Sequence, residues 1–340
     1  LSDALIEDNS LYLGNDPTST TDDAQYNLAV GTTALDAVTT GDKNVGVGYN
    51  ALTALTTGSW NSAVGGYAAS SITTGSDNVA FGLQALENLS GGSRNIAIGN
   101  LSMDGSAGSE NDNLAVGYGA LGGSISGGEK NVAIGNYSLD ATTSGDNNVA
   151  MGYNALTANT TGTSNIAIGH AALKTNTIGR DNIAIGDSAL LDLVTTTAYN
   201  GYLNVAVGSN AMEDATTAYR NVALGAYAYN SATTGGDNVA LGYQTMENAT
   251  SSYSNLAMGY RALYGGTSGT AMTGSGNIAA GAYNLYNNTT GYNNTAVGYY
   301  NLYRNTTGYY NVALGSYALV DNTTGDYNIG IGYNALYNNE

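Results

Sequence analysis

Apolar and small residues alternate in a short phrase that recurs along most of the chain. The phrase opens with Asn, continues with a large residue that is mostly Val, Ile or Leu, then a small residue and a second apolar residue, and closes with Gly. Alternation over a few residues is typical of a β-strand with two different faces. The phrase therefore predicts one short strand wherever it occurs.

The phrase occurs 18 times, and the interval between copies is nearly constant. Thirteen of the 17 intervals are 17 residues, two are 18 and two are 22. A fixed period of this length is the signature of repeat proteins in which each unit stacks on the next. The opening Asn, which we number position zero of each repeat, occurs at Asn27, Asn44, Asn61, Asn78, Asn95, Asn113, Asn131, Asn148, Asn165, Asn182, Asn204, Asn221, Asn238, Asn255, Asn277, Asn294, Asn311 and Asn328.

Glycine and leucine mark three further positions of the repeat. Position four is Gly in every copy, as at Gly31 and Gly48, and position fourteen is Gly in many copies. Gly at a fixed turn position indicates a backbone with positive φ or the close approach of another segment. Position eight is apolar and most often Leu, which we interpret as part of a second strand-like segment between two turns.

Two short strands and two glycine turns in 17 residues predict one coil of a parallel β-solenoid, with coils about 4.8 Å apart. We expect an all-β fold of about 18 to 19 coils, with residues 1–26 as a lead-in and capping coil and residues 27–340 as the repeat domain. In-register stacking would align the opening Asn side chains into an amide ladder. The predicted ladder and corner residues are Asn27, Asn44, Asn78, Asn95, Asn131, Asn148, Asn165, Asn182, Asn204, Asn221, Asn238, Asn311, Asn328, Gly31, Gly48, Gly82 and Gly99.

The residue at position two restricts which face of the strand lies inside the coil. It is Ala in 16 copies and Gly in two, Gly46 and Gly330. If positions one and three point inward, their Val, Ile and Leu columns form the core, and the small residues pack outward against another chain. In the opposite register, Ala fills a thin interior, and the Val and Ile columns are exposed and need cover. Both registers favour a homo-oligomer.

The composition excludes several classes of partner. The 26 acidic and 8 basic residues give a formal charge of −18 with no basic cluster, so we expect no nucleic-acid binding. Cys is absent, which excludes disulfides and thiolate metal sites. No apolar run approaches the roughly 20 residues of a membrane-spanning helix, so we expect no membrane insertion.

Two longer phrases, "NVAMGYNALTANTTG" and "NTAVGYYNLYRNTTG", resemble the repeat of bacteriophage tail-fibre proteins, particularly those of marine and cyanobacterial phages. The segment "LSDALIEDNSLYLGND" is similar to the one that leads into that repeat. The "NVAIG" phrase is also similar to the head repeat of trimeric autotransporter adhesins, which form a trimeric left-handed parallel β-roll. The resemblance covers roughly residues 10 to 337. It implies a homotrimeric fibre segment in a virion or at a cell surface, acting as a rigid spacer.

Three other functions compete with the tail-fibre hypothesis. A bacterial extracellular adhesin or matrix filament is the nearest. An ice-binding solenoid would use the recurrent "TTG" threonines, but adjacent Thr residues in an extended segment point in opposite directions. A carbohydrate-degrading solenoid enzyme would need acidic residues that converge on one face. The Asp residues instead occur before the opening Asn, so we expect no enzymatic activity; they are Asp77, Asp146, Asp181, Asp237 and Asp326.

These Asp residues suit turns, where a short acceptor side chain bonds to nearby backbone. We therefore expect no cofactor, with a Ca²⁺ column along the same Asp residues as the alternative. The single His, His170, stands at a position that holds Tyr, Asn or Ser elsewhere, and no Ser or metal-ligand arrangement surrounds it in the sequence.

Tyrosine is concentrated in the C-terminal part of the chain. Of 28 Tyr residues, 21 follow residue 198, so the repeat domain is Tyr-rich from about residue 199. Stacked Tyr rings stabilise neighbouring coils, but flat rings also pack on sugar rings while Asn amides bond hydroxyl groups. The candidate glycan-binding residues are Tyr299, Tyr300, Tyr303, Tyr309, Tyr310, Asn301 and Asn305.

Overall fold

The chain folds into two compact units, Leu1–Asn165 and Ile166–Glu340. The computed structural model describes residues 4–14, 23–106, 108–194, 200–266 and 271–339. Within these ranges both units consist of strands and turns, without a helix. The predicted parallel β-solenoid is confirmed, because the strands of successive repeats pair in parallel within each unit and recur about every 17 residues.

The described residues of the first unit form ten strands. An antiparallel hairpin of β1 (Ala4–Glu7) and β2 (Ser10–Leu13) begins the unit, and β2 pairs in parallel with β3. Tyr12 of β2 lies opposite Ala29 and is fully buried, so β2 continues the repeat register as a coil of its own. The other strands pair in chain order: β3 (Leu28–Val30), β4 (Val45–Val47), β5 (Ser62–Val64), β6 (Val79–Phe81), β7 (Ile96–Ile98), β8 (Leu114–Val116), β9 (Val132–Ile134) and β10 (Val149–Met151).

The described part of the second unit also contains ten strands, and neighbours in chain order pair in parallel. The two 22-residue coils keep the same pairing, since Ile183 lies opposite Val205 and Leu256 lies opposite Ile278. The strands are β11 (Ile166–Ile168), β12 (Ile183–Ile185), β13 (Val205–Val207), β14 (Val222–Leu224), β15 (Val239–Leu241), β16 (Leu256–Met258), β17 (Ile278–Ala280), β18 (Thr295–Tyr299), β19 (Val312–Ser316) and β20 (Ile329–Ile331).

Among the described residues each repeat has one strand, and the prediction of a second strand-like segment at position eight is wrong. Position eight lies in a turn and adopts a left-handed backbone, with φ of 52° at Leu52 and 56° at Leu86. A left-handed residue interrupts the extended backbone that a strand requires. Both Leu side chains are nevertheless fully buried, so the pattern identifies a core position in a different backbone conformation.

The small residue at position two lines the interior, so the first of the two registers is wrong and the second is correct. Ala80 is 1% exposed, whereas its strand neighbours Val79 and Phe81 are 37% and 57% exposed. The interior is thin: a Cβ added to Gly46 would lie 3.3 Å from Cγ of Leu35. Because buried side chains are close-packed, a residue larger than Ala would displace the Leu at position eight. The Val and Ile columns therefore lie on the outside.

Two turn positions of the repeat favour Gly for different reasons, although position fourteen also holds Ala218 and Ser252. At position four, Gly117 has φ of 137°, and an added Cβ would lie 2.7 Å from the carbonyl carbon of Gly135 in the next coil. At position fourteen, Gly291 is outside the left-handed region, but an added Cβ would lie 2.5 Å from the carbonyl oxygen of Gly308. Both positions let backbones of neighbouring coils approach closely.

Candidate functional site

The opening Asn of each coil lies in the interior and bonds to its own coil and its neighbours. The Nδ2 group of Asn78 donates to the carbonyl oxygen of Gly92 at 2.8 Å and to Oδ1 of Asn61 at 3.0 Å. Its Oδ1 accepts the backbone N–H of Asn95 at 3.0 Å. These amides are consumed by the fold and are not available to a ligand.

The predicted ladder residues share this interior position. All of them are buried except Asn328, which is half-buried in the last coil; the buried members are Asn27, Asn44, Asn78, Asn95, Asn131, Asn148, Asn165, Asn182, Asn204, Asn221, Asn238 and Asn311. The corner residues all have positive φ between 132° and 141°, namely Gly31, Gly48, Gly82 and Gly99.

Each unit exposes a mostly apolar sheet face, interrupted by Ser62 in the first unit and Thr295 in the second. We call it the apolar face and define it as positions one and three of the strands of a unit. In the first unit Ile96 and Ile98 are 38% and 40% exposed, and in the second unit Leu224 and Val297 are 40% and 41% exposed. Soluble monomers rarely expose large contiguous apolar patches, and such patches commonly mark interaction sites. The apolar face is therefore a candidate protein interface.

The structure divides the candidate glycan-binding residues into three groups. Tyr299, Tyr300 and Tyr303 lie together, with the ring centroid of Tyr300 4.5 Å from that of Tyr299 and 4.9 Å from that of Tyr303. Tyr309 and Tyr310 form a second cluster with Tyr292 and Tyr327. Among the described residues, no ring of the first cluster contacts a ring of the second.

The third group, Asn301 and Asn305, lies inside the coil, and here the expectation of an exposed amide is wrong. Both residues are 0% exposed. Nδ2 of Asn301 donates to the carbonyl oxygen of Val297 at 2.8 Å, and Nδ2 of Asn305 donates to Oδ1 of Asn288 at 2.9 Å. At these positions most other coils carry small or apolar residues, and the Asn side chains form further internal amide hydrogen bonds instead. Neither amide is free to bond a sugar hydroxyl.

A longer aromatic surface runs through seven consecutive coils of the second unit at positions five and six. Its ring centroids follow one another at 6.2, 5.9, 5.1, 4.6, 5.5 and 6.2 Å. We call this surface the tyrosine track; it comprises Tyr227, Tyr243, Tyr260, Tyr283, Tyr299, Tyr300, Tyr317 and Tyr333. Sequence reasoning missed its extent because it grouped residues within one coil instead of by equal position in successive coils.

A second aromatic column lies beside the track at position nine. Tyr264, Tyr286 and Tyr303 stack with centroids 4.9 and 5.1 Å apart and interplanar angles of 4° and 11°. Parallel stacking covers both faces of Tyr286, so this column presents ring edges. One cation, Arg261, lies between the columns, with Cζ 5.4 Å from the centroid of Tyr260 and 5.3 Å from that of Tyr264.

Three phenol groups of the track, those of Tyr283, Tyr300 and Tyr317, have a raised pKa that favours their neutral form. Burial and neighbouring phenols raise the pKa of Tyr300 to about 12. Burial, followed by the contact with Tyr260, raises the pKa of Tyr283, and burial raises that of Tyr317. Each group therefore remains an uncharged donor and acceptor of hydrogen bonds near neutral pH.

The acidic residues form hydrogen bonds and ion pairs between coils. Oδ1 of Asp146 accepts the backbone N–H of Glu129 at 2.8 Å, so its bond joins two coils instead of closing a turn within one. Asp237 pairs with Arg220 at 2.7 Å. His170 Nδ1 lies 2.8 Å from Oδ1 of Asp187, and both side chains are exposed. In the described ranges, no group of three or more His, Cys, Asp or Glu is placed to hold a metal ion.

The Thr residues at positions twelve and thirteen have different roles. The hydroxyl at position twelve donates to the next coil, as from Thr56 to the carbonyl oxygen of Thr73 and from Thr233 to that of Thr250, each at 3.0 Å. Position thirteen is exposed, as at Thr57 and Thr234. A coil with Thr at both positions therefore presents one outward Thr, whereas the ice-binding hypothesis requires a flat double column.

Comparison with known proteins adds no family to this geometry. The chain matches no protein-family model and no curated protein. The portion of the chain that the structure covers has no helix with the length and apolar character needed to cross a bilayer.

Proposed function

We propose that this chain is a structural fibre segment that associates with further copies of itself through the apolar face. The observation that carries the proposal is the presence of two outward apolar columns on the strands of both units. The coil interior is already filled by Ala and Leu, so these columns contribute nothing to the core of their own coil. Burying them in a partner is the simplest way to remove them from water.

The size of the apolar face suits a specific interface. The second unit has ten strands with two outward positions each, which makes twenty positions. Stable protein interfaces contain roughly 20 to 30 residues on each side. Only 10 percent of the residues are charged, and none of the outward positions of the second unit carries Asp, Glu, Lys or Arg. Self-association through this face therefore meets little electrostatic opposition at the contact itself, despite the net charge of −18.

The more specific proposal is a homotrimeric segment of a bacteriophage tail fibre, located in the virion and without catalytic activity. The resemblance of the repeat to tail-fibre and adhesin repeats supports this, as does a fold made of near-identical coils, which suits a spacer whose length grows with the number of repeats. A bacterial extracellular adhesin or matrix filament is the alternative. Detecting the protein by mass spectrometry in purified virions, or in washed cell-surface fractions, separates the two.

The test of self-association is the mass of the protein in solution. We expect light scattering to give a multiple of the 34.5 kDa chain, with a trimer as the specific expectation. Replacing Ile185 and Leu224 by Glu together should shift the protein toward 34.5 kDa while its β-sheet circular dichroism signal is retained, because buried unpaired charges oppose association.

A matched control adds the same charges outside the apolar face. Thr234→Glu with Thr290→Glu changes two exposed positions of the same unit and should leave the mass unchanged. A wild-type protein that remains at 34.5 kDa over the accessible concentration range contradicts the proposal. Equal dissociation by both pairs of substitutions would show that net charge, and not the apolar face, controls association.

Contact with a host-surface glycan is the second part of the proposed function. The tyrosine track favours it, because exposed aromatic rings with neutral hydroxyl groups combine an apolar contact surface with hydrogen bonding. The candidate residues that remain exposed for this role are tyrosines, since Asn301 and Asn305 are buried.

A further inference from the structure

We propose that the tyrosine track binds a linear, uncharged polysaccharide that lies along the stacking direction of the second unit, with about one sugar residue per coil. The inference rests on the adhesive part of the proposed function and specifies its ligand. It follows from three properties of the track: its spacing, the exposure of its rings and the engagement of the nearest cation, Arg261, with neighbouring side chains.

The spacing of the track matches a linear chain of sugar rings. Parallel strands place equivalent residues of successive coils about 4.8 Å apart, which is close to the length of one pyranose residue in an extended polysaccharide. The measured distances between successive rings of the track, from 4.6 to 6.2 Å, follow this repeat over seven coils. A ligand whose units repeat at the same interval gains one similar contact for every unit added.

The rings of the track keep exposed area for such contacts. Tyr243, Tyr260 and Tyr299 are 46%, 41% and 42% exposed, and Tyr333 is 75% exposed. Several neighbouring pairs meet edge to face, such as Tyr299 and Tyr317 at an interplanar angle of 82°. An edge-to-face pair covers one face of only one ring, whereas a parallel stack covers a face of both. Tyr243 and Tyr260 stack in parallel at 7°, yet both remain over 40% exposed, whereas Tyr286 in the middle of the parallel column is 6% exposed.

The electrostatics of the track favour an uncharged ligand. The track itself consists of Tyr side chains, and the cation closest to them, Arg261, already donates from Nε to Oε1 of Gln244 at 2.7 Å and lies against two Tyr rings. The net charge of −18 repels anionic polysaccharides at long range. Recognition must then come from ring packing and from phenol hydroxyl groups, which suit hydroxyl-rich neutral sugars.

The experiment is a calorimetric titration of the 340-residue protein, in the association state it adopts in solution, with linear neutral hexose oligomers, both β-1,4- and α-1,4-linked, from disaccharide to octasaccharide. The anionic probe is a hexamer of galacturonic acid. We expect one neutral series to bind more tightly with each added residue until the ligand spans the track, and the anionic hexamer to bind more weakly. Tyr260→Ala with Tyr299→Ala should raise the Kd of the longest ligand by about tenfold or more, because binding energy is concentrated in aromatic contacts.

The matched control is Tyr49→Ala with Tyr153→Ala, two exposed position-five tyrosines of the first unit, which should change the Kd less than about twofold. Equal weakening by both pairs, a Kd that does not depend on ligand length, or a preference for the anionic hexamer would overturn the inference. If the Tyr260 and Tyr299 variant does not fold, hydroxyl-radical footprinting of the wild type decides. Protection of Tyr243, Tyr260 and Tyr299 by the octasaccharide supports the inference, and unchanged labelling overturns it.

The outcome is separable from that of the proposed fibre function. An oligomeric protein that binds none of the neutral oligosaccharides overturns this inference and leaves the fibre proposal intact. A monomer of 34.5 kDa that binds them in a length-dependent way supports this inference and contradicts self-association.

Discussion

Replacing one buried Asn of the ladder should destabilise the first unit far more than replacing an exposed Asn. Asn78→Ala removes the acceptor of the backbone N–H of Asn95 and the donor to the carbonyl oxygen of Gly92. Other bonds nearby survive, since Nδ2 of Asn95 still donates to the carbonyl oxygen of Glu110 at 2.7 Å. Two buried backbone groups are therefore left without their partner.

The magnitude follows from these two groups. Each buried polar group that loses its only partner costs about 1–3 kcal/mol, so the substitution should lower the free energy of unfolding by about 2–6 kcal/mol. Urea denaturation followed by circular dichroism measures this change. Hydrogen exchange should locate it, because the amides of β6 and β7 next to the lost bonds should exchange faster than those of distant coils.

The matched control is Asn100→Ala in the same unit. Oδ1 of Asn100 accepts the backbone N–H of Leu83 at 3.0 Å, but this bond is exposed and water can replace it. The expected loss is below about 1 kcal/mol. If the two variants differ by less than about 0.5 kcal/mol, the buried amides do not stabilise the stack in the way that their hydrogen bonds imply.

Four further predictions test the interior, the corner, the phenols and the surface ion pairs. Ala97→Val should lower the free energy of unfolding by about 1–3 kcal/mol, because a larger side chain overpacks the interior. Ile98→Val, on the outward face of a dissociated chain, should lower it by less than about 1 kcal/mol, and urea denaturation measures both changes. Gly117→Ala should lower the free energy of unfolding by about 1–3 kcal/mol before the steric clash is counted, because φ of 137° is unfavourable for Ala. The melting temperature should fall accordingly. The pKa of Tyr300 is about 12 in the folded protein and about 10 in the unfolded chain. The neutral phenol therefore contributes stability that is fully present below a pH of about 10 and is lost as the pH rises toward 12. Phenolate absorbance and circular dichroism measure this loss. Arg94→Met should leave the melting temperature unchanged within error despite losing the 2.7 Å pair with Asp112, because both side chains are solvent-exposed; a clear drop would show that these ion pairs contribute to coil stacking.

The period of the sequence was sufficient to predict the solenoid but not the register of its strands. A 17-residue repeat with Gly at position four and an alternating phrase leaves few architectures, and the parallel pairing follows from it. The same alternation is equally consistent with Ala inward or Val inward. Packing decides between them: the Leu at position eight, as at Leu35, occupies the interior and leaves space for no more than a methyl group at position two.

The backbone of the turns and the aromatic surface were less predictable. Leu rarely adopts the left-handed region, so the local sequence does not predict the positive φ of Leu52. The need to close a coil imposes that backbone conformation. The burial of Asn301 and Asn305 depends on their coil position, since Asn at positions seven and eleven points inward where other copies carry Ala or Leu. A comparison of equal positions in successive coils, instead of neighbours in the sequence, predicts both the burial of these Asn residues and the tyrosine track.

The two longer coils of the second unit show where the chain tolerates additional length. Five extra residues separate Ile183 from Val205, yet the two remain paired as in the shorter coils. The same holds for Leu256 and Ile278. The segments between β12 and β13 and between β16 and β17 are therefore natural insertion points for a foreign peptide, such as an epitope or an affinity tag. A chain carrying such grafts in many copies would display them at intervals fixed by the coil repeat.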